Sequence, residues 1–135
     1  MPNYWILKTE PSTYSLADLQ RDGRTRWDGV ANPVALKNIR AMAPGDAVMI
    51  YHTGSEKAIV GLARVAGAPY PDPAAKDPKL YAVDLAFDRA LPNPVTLAAV
   101  KADAAFKDLA LVRQGRLSVV PVPAPLWKKL LGMAS

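Results

Sequence analysis

Arg24-Thr25-Arg26-Trp27-Asp28-Gly29-Val30-Ala31-Asn32-Pro33 leads into a short amphipathic stretch, then Pro44-Gly45-Asp46, then a run closing on Tyr51-His52-Thr53-Gly54. The fold turns on how this part of the chain is read. A Trp-Asp-Gly turn runs directly into an Asn-Pro helix start, which places a flat ring, a carboxylate and an amide close together along the chain. Asn32 offers an acceptor to the free amides of the first helical turn, and Pro33 has no amide to leave unpaired there. Ala35, Leu36, Ile39 and Met42 then form one apolar stripe, with Lys37 and Arg40 on the wet side. Pro44-Gly45-Asp46 stops the helix, and Ala47 to His52 follows as a strand apolar on both faces, as in a covered or closed sheet. Alternation sends Tyr51 and His52 to opposite faces of that strand. Flat rings beside hydrogen-bonding groups are what a pocket for a planar heterocycle needs. The plainer reading makes Trp27 a core residue and Asn32 only a cap.

On the N-terminal side, Tyr4-Trp5-Ile6-Leu7-Lys8 is rich in strand formers, and Pro11 ends that strand. Ser15 is placed to cap a short helix carrying Leu16 and Leu19, with Asp18 as its capping-box partner. On the C-terminal side, Thr53-Gly54-Ser55-Glu56 is a hairpin loop, and Ala58 to Val65 returns as a strand in which Gly61 permits a close backbone approach. Residues 67–79 hold Pro69, Pro71, Pro73 and Pro78 and form one long loop, read as a lid or binding rim. Leu80 to Asp88 alternates, with Tyr81, Val83, Leu85 and Phe87 inward and Asp84 and Asp88 outward. Thr96 caps a helix with Leu97 and Val100, and Asp103 caps another with Phe106 and Leu109. A last strand runs from Leu117 to Val120, and a final helix begins at Pro123 or Pro125 and closes at Gly132.

The chain has 135 residues, 50% of them hydrophobic and 21% charged, which fits one globular domain with a real core. It has no cysteine, which excludes disulfides, cysteine zinc sites and thiol nucleophiles. One histidine, His52, excludes a two-histidine mechanism and a His-rich metal site. No apolar run reaches the ~18 residues of a membrane span, and no secretory signal opens the chain, so a cytoplasmic protein is expected. The formal net charge is +5, from 17 basic and 12 acidic residues, spread evenly between the halves. A polyanion partner is mildly favoured, its contact surface assembled by folding from clusters such as Arg21/Arg24/Arg26 and Arg113/Arg116. The strands with helices inserted between them predict an α+β domain around a barrel-like sheet.

Five separated motifs carry a resemblance. Trp5 through Pro11, the Trp27-Asp28-Gly29-Val30 turn with Asn32, Tyr51-His52, Arg113-Gln114, and Arg116-Leu117-Ser118-Val119 stand in the order found in the EVE domain, a branch of the PUA-like fold. The resemblance covers nearly the whole chain, residues 1–135, as a single domain. It implies a PUA-like, barrel-type mixed β-sheet of about five to six strands with short helices inserted around it. It also implies a reader of a modified base in DNA or RNA, in particular a 5-modified cytosine, with no obligatory cofactor; a non-catalytic, monomeric module is the expectation. The chain departs from the family pattern at Ala31, where an arginine is frequent, and at Thr53 and Gly115, where serine is frequent.

A flipped base needs a stacking ring, groups for its hydrogen-bonding edge and positive charge for the flanking phosphates. Trp27 is the candidate ring, and Trp5 and Trp127, set in apolar runs, read as core. Asn32 and Ser118 are candidates to read polar edges, with Tyr51 or His52, whichever faces inward, and Lys8 and Glu10 completing the pocket. Arg24, Arg26, Lys37, Arg113 and Arg116 are candidates for the nucleic-acid backbone. Two alternatives remain. Lys8, Thr9 and Glu10 are the residue types of a lysine-activated threonine nucleophile, as in a small amidohydrolase acting on a modified nucleoside. A protein-interaction module with no base in its pocket is the other.

Overall fold

The computed structural model describes residues 3–135. Six strands form one continuous hydrogen-bonded path in the order β2-β6-β4-β3-β1-β7. Strand β1 (Tyr4–Thr9) lies inside this path, parallel to β3 (Ala47–His52) and antiparallel to β7 (Val119–Pro121). Strand β4 (Ala58–Val65) pairs with β3 and with the long β6 (Tyr81–Thr96), and β2 (Arg24–Trp27) pairs with β6 at one end of the path. The two-residue β5 (Tyr70–Pro71) also joins β6. This is the mixed, curled sheet of a PUA-like α+β fold.

Helices fill the connections. Ser15 accepts from the Asp18 amide while the Asp18 carboxylate accepts from Ser15, so the expected capping box opens α1 (Leu16–Asp22). Asn32 Oδ1 accepts from the amides of Val34 and Ala35 and opens α2 (Pro33–Arg40), whose stripe of Ala35, Leu36 and Ile39 is buried together with Met42. Thr96 caps α3 (Leu97–Ala102) by accepting from Ala99. Asp103 caps a 3-10 turn at Ala104–Phe106, and α4 (Ala110–Arg113) follows it as a separate piece. The last helix, α5 (Ala124–Ala134), packs Trp127 against Tyr4 with ring centroids 4.8 Å apart.

The core runs along both faces of β3 and β4, as the apolar run predicts. The one buried carboxylate among the described residues, Asp46, is fully used: it accepts from the Trp5 indole at 3.0 Å and from the amides of Asn3 and Ala43, each at 3.0 Å. A buried ion is costly unless so paired. Trp5 and Trp127 are both core, each 5% exposed.

Four sequence expectations need correction. Arg24–Trp27 is a strand, whereas its sequence suggests only a basic cluster before a turn. Strand β6 does not end at Asp88 but continues to Thr96 in spite of Pro92 and Pro94. Its pairing with β4 steps from Ala90↔Gly61 to Val95↔Ile59, so both prolines fall where no ladder amide is required. The last strand begins two residues later than expected, at Val119, and Gly132 lies within α5 rather than closing it. Gly61 does serve a close approach: a Cβ there would stand 2.5 Å from both terminal carbons of Leu16 on α1.

Candidate functional site

The curl brings the β2 end of the sheet path close to the β1–β7 end, and a cleft of about 490 Å³ lies between them. That volume is in the range of small-molecule sites. Strand β1 and its extension contribute Lys8, Thr9 and Glu10, β2 contributes Thr25, Arg26 and Trp27, and the following turn contributes Asp28 to Ala31. Ser118 enters from just before β7, and Thr13 and Tyr14 close the rim ahead of α1.

Trp27 forms part of the wall but is only 9% exposed, so a single ring serves both core and cleft. Tyr14 meets it edge to face, with centroids 6.4 Å apart and planes at 87°, and is itself fixed by donating to Asp22 at 2.8 Å. Burial pushes the Tyr14 phenol above its ordinary pKa.

The charged groups of the cleft come as two cations and two anions, Lys8 and Arg26 with Glu10 and Asp28. Arg26 Nε donates to Asp28 at 3.0 Å. The Glu10 carboxylate accepts from the Ser12 amide at 3.1 Å, the Ser12 hydroxyl at 2.9 Å and the Thr53 hydroxyl at 3.4 Å. The Ser12 bonds, backbone first, hold its pKa below the usual carboxylate value, so it is an acceptor at neutral pH. Gly54 is required beside it: with φ at +78°, a Cβ there would come within 2.8 Å of Glu10 Oε2. Lys8 donates to the Gly115 carbonyl at 2.8 Å and lies 5.6 Å from the Tyr51 ring centroid, while burial lowers its pKa. Its amide donates to the Ser118 carbonyl at 2.9 Å, which ties the half-buried Ser118 to β1.

Of the expected pocket residues, Trp27, Ser118, Lys8 and Glu10 come together in this cleft. Asn32, Tyr51 and His52 do not line it. Asn32 faces a shallow hollow with Arg116 and Leu117, its side-chain oxygen committed to the α2 amides. His52 is buried: its Nε2 accepts from the Leu16 amide at 3.0 Å, and Nδ1–H donates to Glu56 at 2.6 Å. The ring therefore fastens α1 to the β3–β4 hairpin. Tyr51 looks onto a separate depression beyond Lys8. Among the expected backbone contacts, Arg26 lines the cleft, Arg24 and Lys37 are exposed, and Arg113 pairs with Asp108 at 3.2 Å.

Tyr14, Thr13 and Thr25 escape a reading of the sequence, because their positions depend on β2 being a strand. The alternation Arg24, Thr25, Arg26, Trp27 is the available signal, two exposed cations alternating with two more buried residues. The lysine-activated threonine does not assemble: Thr9 Oγ1 donates to the Tyr14 carbonyl at 2.7 Å, while Lys8 reaches away to Gly115. A larger hollow of about 730 Å³ lies by Tyr4, Trp5, Leu109 and Val122, but it is largely apolar, with Asn3 and Asp108 as its polar lining residues. Among the described residues no cluster of His, Asp and Glu suits a metal, and no helix is long and apolar enough to cross a membrane.

The family model for the EVE domain matches residues 3–133. Rat thymocyte nuclear protein 1 is 30% identical over an alignment 156 positions long, which spans 90% of this chain and 69% of that protein. A Rhodopseudomonas palustris protein solved by NMR superposes with a TM-score of 0.93 at 41% identity, over 98% of this chain and 92% of its own. Human THYN1, solved in complex with DNA containing 5-methylcytosine, superposes with a TM-score of 0.90 at 27% identity, over 98% of each chain. An ASCH protein of Zymomonas mobilis shares the fold at a TM-score of 0.60 and 13% identity.

Proposed function

The chain belongs to the EVE domain family, and from that premise we propose that it is a single, non-catalytic DNA-binding domain that takes a 5-modified cytosine into the cleft between β1 and β2. The observation that carries this reading is the charge balance of the cleft beside a partly buried aromatic pair. A neutral heterocycle fits such a site better than a phosphate does. Cytosine presents an exocyclic amino donor, which Glu10 or Asp28 accepts, and a carbonyl, which Lys8 or Ser118 serves. Val30, Ala31 and the Thr25 methyl supply apolar contact for a 5-substituent. Trp27 and Tyr14 give the flipped base its aromatic contact, and stacking on such a ring is worth roughly 1–3 kcal/mol per base. The human relative solved with 5-methylcytosine DNA supports the same class of ligand.

The test is binding of matched short oligonucleotides bearing cytosine or 5-methylcytosine, as DNA and as RNA, at two salt concentrations. A preference for the modified base that survives the higher salt is expected. Equal binding that collapses with salt marks only counterion release at a basic surface and sinks the reading.

A further inference from the structure

On the other side of Lys8 from the cleft lies a small depression of about 190 Å³, lined by Lys8, Tyr51, Thr53, Lys57, Lys101 and Gly115 among others. Three lysines line it and no carboxylate does. We infer that this depression is an anion subsite for a phosphate of the DNA backbone next to the base in the cleft, with Lys57 and Lys101 as its free cations and Lys8 as the wall between phosphate and base. The inference rests on the DNA-binding reading above.

Three observations carry it. The first is pairing. Arg21, Arg26, Arg113 and Lys129 each lie within 3.3 Å of a carboxylate. Among the described residues neither Lys57 nor Lys101 is in an ion pair, and Lys8 donates to a carbonyl rather than to an acid. The acids beside these lysines in the chain and across Gly54 are already engaged: Glu56 bonds His52, Asp103 pairs with Lys129, and Glu10 is held by Ser12 and Thr53. The second is size: the depression is below the range of pockets that enclose a drug-sized ligand, whereas the adjoining cleft is within it. The third is backbone. Lys57 is the one non-glycine among the described residues with positive φ, at +46°, and its carbonyl accepts from the Leu97 amide at 2.8 Å. A lysine kept in the left-handed region, where glycine or asparagine is the ordinary occupant, points to a use for its side chain. The same bond ties the hairpin carrying Lys57 to the start of α3, which carries Lys101.

The experiment is a salt titration of duplex DNA binding, by fluorescence anisotropy, for the intact chain and the double variant Lys57→Gln/Lys101→Gln. Every phosphate that a protein neutralises adds about 0.9 to the slope of log K against log salt on B-DNA. The double variant is expected to lower the slope by about one and to weaken methylated and unmethylated DNA by the same factor. Lys57→Gly, which removes the charge and relaxes the turn, is expected to lose affinity while melting no lower than the parent. Lys107→Gln/Lys128→Gln removes the same charge elsewhere and is expected to leave the slope nearly unchanged. An unchanged slope in the first variant overturns the subsite, and so does an equal decrease in the control pair. Inorganic phosphate that raises the melting temperature of the parent but not of the double variant, with DNA affinity equal in the two, overturns the assignment to DNA. If the intact chain binds DNA with no preference for the methylated base, the base-reading proposal fails while the slope comparison still decides the subsite.

Discussion

The cleft and the lysine depression share one side chain, Lys8, and otherwise differ in nearly every electrostatic respect. In the cleft both carboxylates are held by neighbours: Asp28 pairs with Arg26, and Glu10 is held by the hydroxyls and amide around it. Across Lys8 the cations have no such partners. Paired charges keep their hydrogen-bonding directions but give up their long-range pull, so they suit recognition of a neutral edge. Unpaired lysines attract from a distance and are screened by salt, so they suit capture of a polymer. Discrimination and adhesion thus occupy adjacent rooms with one common wall.

The largest way to break that contrast is at Trp27. Because its ring is nearly buried, Trp27→Ala should cost about 3–5 kcal/mol of stability, read by urea unfolding, and should damage the cleft through the core. Trp27→Phe keeps the apolar filling. It should bind methylated DNA more weakly with its unfolding midpoint nearly retained, whereas an unaltered preference would mean that the indole serves packing alone. Gly61→Ala forces a carbon against Leu16, whose amide is fastened to His52, and should cost about 1–3 kcal/mol in thermal melts. Since α1 follows Tyr14 directly, base preference should suffer there while the salt slope stays put.

Glu10→Gln sharpens the contrast from the other side. It should reduce discrimination between cytosine and its competitors, measured by competition, and leave the salt slope close to the parent value. A steeper or shallower slope with intact discrimination would exchange the roles of the two rooms. Asn32→Ala should lower stability by about 1 kcal/mol, as expected for removal of a helix cap, and leave base preference unchanged. The smallest effect concerns the loop that carries β5. Tyr70 donates to Asp84 at 2.6 Å, and that bond raises its phenol to about 12. Its contribution to stability is therefore complete below the unfolded value near 10 and lost as pH rises from there through about 12. A tyrosine titrating near 12 in the ultraviolet, abolished in Tyr70→Phe, is the expected signature.

Much of the scaffold is legible because it is written locally. The Ser15–Asp18 box, the Asn32-Pro33 start, the Thr96 cap and the two-sided apolar run of β3 each depend on residues a few positions apart, and each stands where expected. The proline-containing end of β6 is not legible, because what permits it is the stepped register of a partner strand rather than anything in its own sequence. The site divides in the same way. Lys8, Glu10, Trp27 and Ser118 converge as expected, although they come from chain segments far apart. Asn32 and His52 stand outside the cleft because each has a structural bond that consumes the atom a ligand would need. Lys57 and Lys101 carry no motif at all; only the fold makes them neighbours.

The position of β1 has a consequence for how the molecule is made. Strand β1 precedes both of its neighbours in the chain and is flanked by β3 on one side and by β7, which comes far later, on the other. Such non-local pairing raises contact order and slows folding. Until residue 119 has emerged, β1 keeps an open edge of unpaired amides, and Ser118 cannot complete the cleft. A nascent or truncated chain therefore has a sheet that is sticky at that edge and a pocket that is unfinished, so competence to select a base should arrive only with the last strand.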